Sequence, residues 1–170
     1  TQALCCRESG STLRFFIPLA LLGGWPVVLT GTQKLLSRPL DVYRQLCADK
    51  GFIFAPGDQS LTVQGNLTGG TFQIPGNISS QFISGLLFAL PLCEGDSTLT
   101  LIPPVESRSY IDMTLDALAA FGIRAEWRDD LTLSIPGGQS YCARNVSVEG
   151  DYSNAAFFLC AGALSPHGVT

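Results

Sequence analysis

Three apolar runs, each opened by a cluster of small polar residues, organise this chain. Gly10-Ser11-Thr12 precedes the run 13–22, Ser79-Ser80-Gln81 precedes 82–92, and Asp151-Tyr152-Ser153-Asn154 precedes 155–164. Each pattern predicts a buried helix with a polar start. Serines recur at 11, 80 and 153, a period of about 70 residues. The chain therefore reads as a repeat protein.

The stretches between the runs fill in the repeated unit. Pro26-Val27-Val28-Leu29-Thr30 reads as a short buried strand. Ser37-Arg38-Pro39 predicts a helix start with Pro39 in its first turn, and Leu40, Tyr43, Leu46 and Cys47 form its apolar stripe. Gly51 ends that helix and Phe52-Ile53-Phe54 begins a strand. Pro56-Gly57-Asp58 turns the chain into a strand at 60–63, and another at 71–74 leads to Ser79. The second unit repeats the order. A helix at 81–92 is followed by a strand at 97–102, then by a helix opened at Ser107-Arg108. Ile111, Leu115, Leu118 and Phe121 share one face of it, and Gly122 is its stop. Residues 124–127 and 131–135 form a hairpin around Asp129-Asp130, and a strand at 141–148 leads to Asp151. An offset of 71 pairs Gly51 with Gly122 and Asp41 with Asp112. The predicted class is α/β (α+β), built from strand–helix–strand–helix–strand–strand units. One such unit leaves an apolar helix uncovered unless copies pack together.

Composition narrows the function. With 46% hydrophobic residues in 170 positions, the chain has ample material for a core. Only 14% of residues are charged and the net charge is −4, so the electrostatic footprint of a nucleic-acid binder is absent. The longest apolar stretch, 15–30, is broken by Pro18, Gly23, Gly24 and Pro26 and is too short for a membrane span. The three sequons at Asn66, Asn77 and Asn145 carry little meaning without a leader, and no targeting segment is visible, so a cytoplasmic protein is expected. The six cysteines (5, 6, 47, 93, 142 and 160) lack metal-type spacing, and the lone His167 is far from them in sequence. They read as free thiols, with no metal and no cofactor expected.

The chemistry-bearing positions sit at element starts. A small-polar cluster opening an apolar helix presents unpaired N–H groups and hydroxyls at the positive end of the helix dipole, which suits phosphate or carboxylate. The same cluster is equally an ordinary cap. Arg38 lies just past a buried strand, in a loop position that often carries function, or is simply a solvated surface cation. Asp41 and Asp112 read as first-turn dipole partners rather than acids.

Several segments together resemble one family, the 5-enolpyruvylshikimate-3-phosphate synthases. Cys6-Arg7-Glu8-Ser9-Gly10-Ser11-Thr12-Leu13-Arg14-Phe15 resembles that family's N/E-[SA]-G-T/S-x-[ML]-R segment, and Ser37-Arg38-Pro39-Leu40 its R-P-[IL] segment. Gly76-Asn77-Ile78-Ser79-Ser80-Gln81-Phe82 is similar to G-x-[VI]-S-S-Q-[FY]. Glu106-Ser107-Arg108-Ser109-Tyr110-Ile111-Asp112 is similar to S-[KR]-x-Y-[IV]-x, and Val148-Glu149-Gly150-Asp151-Tyr152-Ser153 to V-E-G-D-x-S. They occur in family order across nearly the whole chain.

The resemblance implies an enzyme of aromatic amino acid biosynthesis that moves the enolpyruvyl group of phosphoenolpyruvate to the 5-hydroxyl of shikimate 3-phosphate and releases phosphate. It implies two lobes of three units each, arranged as inverse α/β barrels, with both substrates bound between them. Residues 1–149 would be two of the three units of the shikimate-phosphate-binding lobe, and 150–170 the start of the second lobe. Carried over by position, Ser79, Ser80 and Ser107 would hold the 3-phosphate, and Tyr110 would lie by the shikimate ring. Gln81 would touch both substrates, while Gly10 and Arg38 would contact phosphoenolpyruvate. Glu8 stands where several members have Asn, and would repel an anion unless paired with Arg14 or Arg38. The family's G-S-K-S segment and its acid–base residues have no counterpart in this chain, so no catalytic residue is expected within it and the isolated piece should be inactive. A monomer at full length is expected. Two alternatives are the related transferase acting on UDP-N-acetylglucosamine, whose reactive Cys is replaced by Gln33 here, and a non-catalytic anion-binding repeat domain.

Overall fold

The computed structural model describes residues 2–148 and 150–166; Glu149 and His167 lie outside the described residues. The first unit runs β1 (Gln2–Cys5), α1 (Gly10–Ala20), β2 (Val27–Thr30), α2 (Gln33–Leu36), α3 (Asp41–Lys50), β3 (Ile53–Pro56) and β4 (Ser60–Gln64). The second runs β5 (Gly70–Pro75), α4 (Ser80–Ala89), β6 (Ser97–Ile102), α5 (Arg108–Ala120), β7 (Glu126–Trp127) and β8 (Thr132–Ile135). A 3₁₀ turn, Leu90–Leu92, extends α4. The last helix is α6 (Tyr152–Leu164).

The two units share one topology. Each sheet has four strands, in orders β1-β2-β4-β3 and β5-β6-β8-β7. In both, a parallel pair (β1 with β2, β5 with β6) spans the first helix, and an antiparallel hairpin closes the other side. The inner strands β2, β4 and β6 alternate buried and half-exposed positions, as in Leu61 and Val63 of β4, because one face of each sheet meets the helices and the other does not. The helix stops follow the predicted repeat. Gly51 and Gly122 take the left-handed conformation at φ of 69° and 83°, where a side chain would be strained.

Between the sheets lie α1, α4 and α5. Helix α4 is the centre: Phe82, Ile83, Ser84, Gly85, Leu86, Leu87 and Ala89 are all buried, as expected of a helix apolar on every side. It packs on α1 and α5, with Phe15 of α1 edge-on to Phe88 at 5.1 Å. Ser84 and Thr114 share a buried hydroxyl hydrogen bond of 2.7 Å across α4 and α5, so these two sunken hydroxyls satisfy each other.

Four expectations change. Strand β1 and the single turn of α2 are additions. Pro39 is not in the first turn of its helix, since Leu40 is the N-cap of α3 and lacks a side-chain cap bond. The strand expected at 141–148 is absent: these residues are irregular and exposed. In unit two β5 pairs with the strand that follows α4. A strand at 141–148 would likewise need a partner after α6, and none lies among the described residues. Helix α6 itself forms but buries none of its side chains.

Candidate functional site

The three polar helix starts, alike in sequence, differ in their bonding. At α1 the cap is Ser9, whose Oγ accepts from the Thr12 N–H at 3.2 Å and the Thr12 hydroxyl at 2.8 Å, with Ser11 Oγ 3.2 Å away. The hydroxyls there are spent on one another. At α6 the cap is Asp151, which accepts from the N–H groups of Ser153 and Asn154 at 2.9 and 3.2 Å, so a carboxylate already occupies the anion position. Only α4 is open. Its cap Ser79 accepts from the Gln81 N–H at a long 3.4 Å, and Ser80 is the first helical residue. The start of α5 is also open: Ser107 is the N-cap without a side-chain cap bond, in a left-handed conformation (φ 60°). The Glu106 N–H donates to the Gly76 carbonyl at 2.9 Å, tying the loop before Ser107 to the loop before Ser79. Tyr110, in the first turn of α5, is exposed.

A second group forms where α1, α4 and the loop before α3 meet. Gly10 opens α1, and a Cβ placed there would lie 2.7 Å from Arg38 Nη1 and 3.3 Å from Arg14 Nη1. Only glycine lets the two guanidiniums come this close to the helix start. Arg14 Nη1 donates to Gln81 Oε1 at 2.8 Å, and the Arg14 guanidinium lies 4.9 Å from the Phe82 ring centre. With its oxygen so engaged, Gln81 keeps its amide N–H₂ to offer elsewhere. Arg14 Nε is buried and has no hydrogen-bond partner. Burial first, then the positive charge of Arg38, pull the Arg14 guanidinium below its ordinary pKa. Two cations brought together without a carboxylate form a site that gains from an anion. Among the described residues the ion pairs are Arg44 with Asp41 and Arg128 with Asp129, both exposed. Glu8 is exposed and pairs with neither Arg14 nor Arg38.

Of the sequence-predicted residues, the structure brings Gly10, Arg38 and Gln81 into one group and places Ser79 and Ser80 on the helix start beside Gln81. Ser107 and Tyr110 stand on the neighbouring helix start, with no hydrogen bond to that group. Arg14 is the member that the predicted set lacked. Its signal was one helical turn after Gly10, on the same face. Arg108 is not a free cation: its guanidinium stacks 4.1 Å from the Trp127 ring centre and donates to the Asp130 carbonyl at 2.9 Å. A cavity of about 470 Å³ between α3 and β5, bordered by Leu46, Phe72 and Ile74, shares no residue with either group.

The family model for EPSP synthase (3-phosphoshikimate 1-carboxyvinyltransferase) matches residues 1–170. The chain belongs to the EPSP synthase family. It is 44% identical over 167 residues to the 3-phosphoshikimate 1-carboxyvinyltransferase of Clostridium novyi, covering 97% of this chain and 38% of that protein. It is 45% identical over 170 residues to that of Clostridium beijerinckii, covering 99% and 39%. The structure of EPSP synthase from Acinetobacter baumannii superposes with a TM-score of 0.76 at 25% identity, over 96% of this chain and 36% of that one. The chain thus spans about two-fifths of the length of these curated relatives. Among the described residues no helix is long and apolar enough to cross a membrane.

Proposed function

We propose that this chain supplies the shikimate-phosphate-binding lobe of an enzyme that transfers the enolpyruvyl group of phosphoenolpyruvate to the 5-hydroxyl of shikimate 3-phosphate, releasing phosphate. Residues 1–149 are two of that lobe's three units, and 150–170 begin the second lobe. The observation that carries the reading is the group at Gly10: two guanidiniums without a carboxylate, set against a helix start and linked through Gln81 to the open serines of α4. Membership of the family supports this reaction, and the lack of any buried side chain in α6 supports a boundary before it.

Each residue has a task in binding or orientation. Ser79, Ser80 and Ser107 donate to the 3-phosphate, helped by the N–H groups of the α4 start. Arg38 and Arg14 hold the carboxylate or phosphate of phosphoenolpyruvate through charge-assisted bonds, and Gly10 leaves room for it. Gln81 stands between the two, its oxygen fixed by Arg14 and its N–H₂ free to touch both substrates. Tyr110 borders the shikimate ring. This arrangement fixes two reactants side by side, which is the part of the barrier that positioning removes. Proton donation to the methylene carbon and removal from the 5-hydroxyl need groups within hydrogen-bond reach, and among the described residues no acid–base pair faces the arginines. Those groups belong to the opposing lobe, and the protein works as a cytoplasmic monomer.

The test is ligand discrimination in a full-length polypeptide carrying these residues. Ser79→Ala with Ser80→Ala weakens shikimate 3-phosphate binding by roughly 1.5–3 kcal/mol for each bond lost, measured by calorimetry. Unphosphorylated shikimate is much less affected. Equal losses for the two ligands would reduce these serines to helix caps.

A further inference from the structure

Helix α1 contains a proline that costs it a hydrogen bond next to the arginine group. In an unbroken helix the carbonyl of Arg14 accepts from the N–H of residue 18. That residue is Pro18, which has no N–H, and it is buried. The missing donor comes from another element. Tyr43 of α3 is fully buried, and its hydroxyl lies 2.9 Å from the Arg14 carbonyl and 3.0 Å from the Phe82 carbonyl of α4. Its ring meets Phe82 edge-on at 5.0 Å. The Phe82 carbonyl has its own helical donor in Leu86, so the Arg14 carbonyl is the one that depends on the hydroxyl.

The fit around this hydroxyl is close. A Cβ at Gly85 would overlap the Tyr43 hydroxyl and lie 2.6 Å from the Arg14 carbonyl oxygen. Glycine is therefore what allows α1, α3 and α4 to converge on one oxygen atom. The two carbonyls it joins belong to Arg14 and to Phe82, the latter adjacent to Gln81. Arg14 and Gln81 are the two side chains bonded at 2.8 Å in the candidate site.

We propose that Tyr43 is a positioning residue for the anion site. Its hydroxyl bridges α1 and α4 at the residues that carry Arg14 and Gln81, and Pro18 reserves the Arg14 carbonyl for that bridge. The geometry stands on its own, while its bearing on substrate rests on the function proposed above.

A cycle of Tyr43→Phe and Pro18→Ala separates holding the fold from holding the site, because alanine at 18 returns an N–H to the Arg14 carbonyl. In the 170-residue chain Tyr43→Phe should lower Tm by about 3–10 °C when residue 18 is proline. With alanine there the drop should be less than half as large. Equal drops in both backgrounds would overturn the bridge. In the double variant the Arg14 side-chain N–H signals, read by ¹⁵N NMR, should show freer guanidinium rotation than in the parent; unchanged signals would overturn the positioning role. In a full-length polypeptide the double variant should keep a Michaelis constant for phosphoenolpyruvate raised at least about 5-fold, because Arg14 is no longer tied to α3 and α4 and a misplaced binding group loses much of its effect, with kcat within about twofold. Recovery of that constant together with Tm would leave Tyr43 a purely structural residue and sink the proposal. A parent polypeptide that turns over neither substrate would refute the proposed function alone, and the NMR comparison would then decide the positioning role.

Discussion

The two units trace the same path and offer opposite chemistry. Unit one brings cations, with Arg14 and Arg38 crowded against Gly10. Unit two brings neutral donors, Ser79, Ser80, Gln81, Ser107 and Tyr110, and locks its own helix-start arginine, Arg108, onto Trp127 and the Asp130 carbonyl. The repeated topology sets where helix starts fall. It does not set what stands there. A fold that places equivalent helix starts side by side can assign one to an anion that needs charge and another to a phosphate that needs many donors, with neither site disturbing the scaffold.

The largest effect should come from the seam that joins the units. Leu86 is fully buried at the centre of α4, so Leu86→Ala should cost about 2–5 kcal/mol. Calorimetry should still show one transition, both sheets melting together. Two separate transitions would make the units independent folding bodies and the comparison one of neighbours rather than halves. Next, in a full-length polypeptide, Arg38→Ala should lower kcat/KM for phosphoenolpyruvate by roughly 10–150-fold, the worth of a charge-assisted bond of about 1.5–3 kcal/mol. Shikimate 3-phosphate affinity should change less than about threefold. A larger loss for shikimate 3-phosphate would reverse the assignment of charge to unit one. If proton transfer belongs to the opposing lobe, as proposed, the 170 residues alone should release no phosphate from the two substrates; measurable release would place that chemistry within this chain.

Much of this division was legible beforehand. The period between Ser11, Ser80 and Ser153 exposed the repeat, and the helix stops at Gly51 and Gly122 lay where left-handed residues were needed. Short elements escaped because their signals are not local. Gln2–Cys5 is a strand only because Val27–Thr30 lies beside it, and the strand expected at 141–148 had the right residues but no partner strand among the described residues. The site was half legible. Gly10, Arg38 and Gln81 are named by their own segments, whereas the bond from Arg14 to Gln81 spans 67 positions and depends on how α1 packs on α4. The difference between three similar polar helix starts was not legible at all. It turns on how fully a hydroxyl or carboxylate is spent on its own turn: Ser9 and Asp151 each accept two bonds there, whereas Ser79 accepts one at 3.4 Å.

A smaller effect sharpens the contrast between the two arginines. Arg108→Met should cost about 0.5–1.5 kcal/mol, from the lost ring stacking and a hydrogen bond at an exposed site. It should leave phosphoenolpyruvate kinetics within about twofold of the parent. A kinetic defect like that of Arg38→Ala would show that unit two does contribute a cation. The smallest effect is common to both units. Cys47 in unit one and Cys93 in unit two are buried, which pushes each thiol from 9.0 up to about 11. Unfolded chains ionise these thiols at lower pH than folded ones, so the unfolded state holds fewer protons between these values and stability falls as pH rises from about 9 to about 11. Cys47→Val and Cys93→Val should each flatten the decline of Tm over that range; an unchanged slope would assign it to other groups. Thiol titration under denaturing conditions, with no reductant added, should count six free groups; two or fewer would overturn the reading of the cysteines as free thiols.

The central helix also fixes an order of events in time. The first sheet is complete once residue 64 has been made, because its strands pair only among themselves. Helix α1, however, has its long packing partner in α4, which ends at Ala89. On a ribosome extending the chain by about 5–20 residues each second, the 25 residues from Gln64 to Ala89 separate the finished sheet from the finished cover, an interval that the exit tunnel delays without changing. For a second or more, a nascent chain carries a paired sheet with Leu13 and Ile17, both destined for burial, still without the neighbour that hides them. That interval is when a chaperone would be expected to hold this polypeptide, and pausing translation once residue 64, but not residue 89, has left the exit tunnel should lengthen the association.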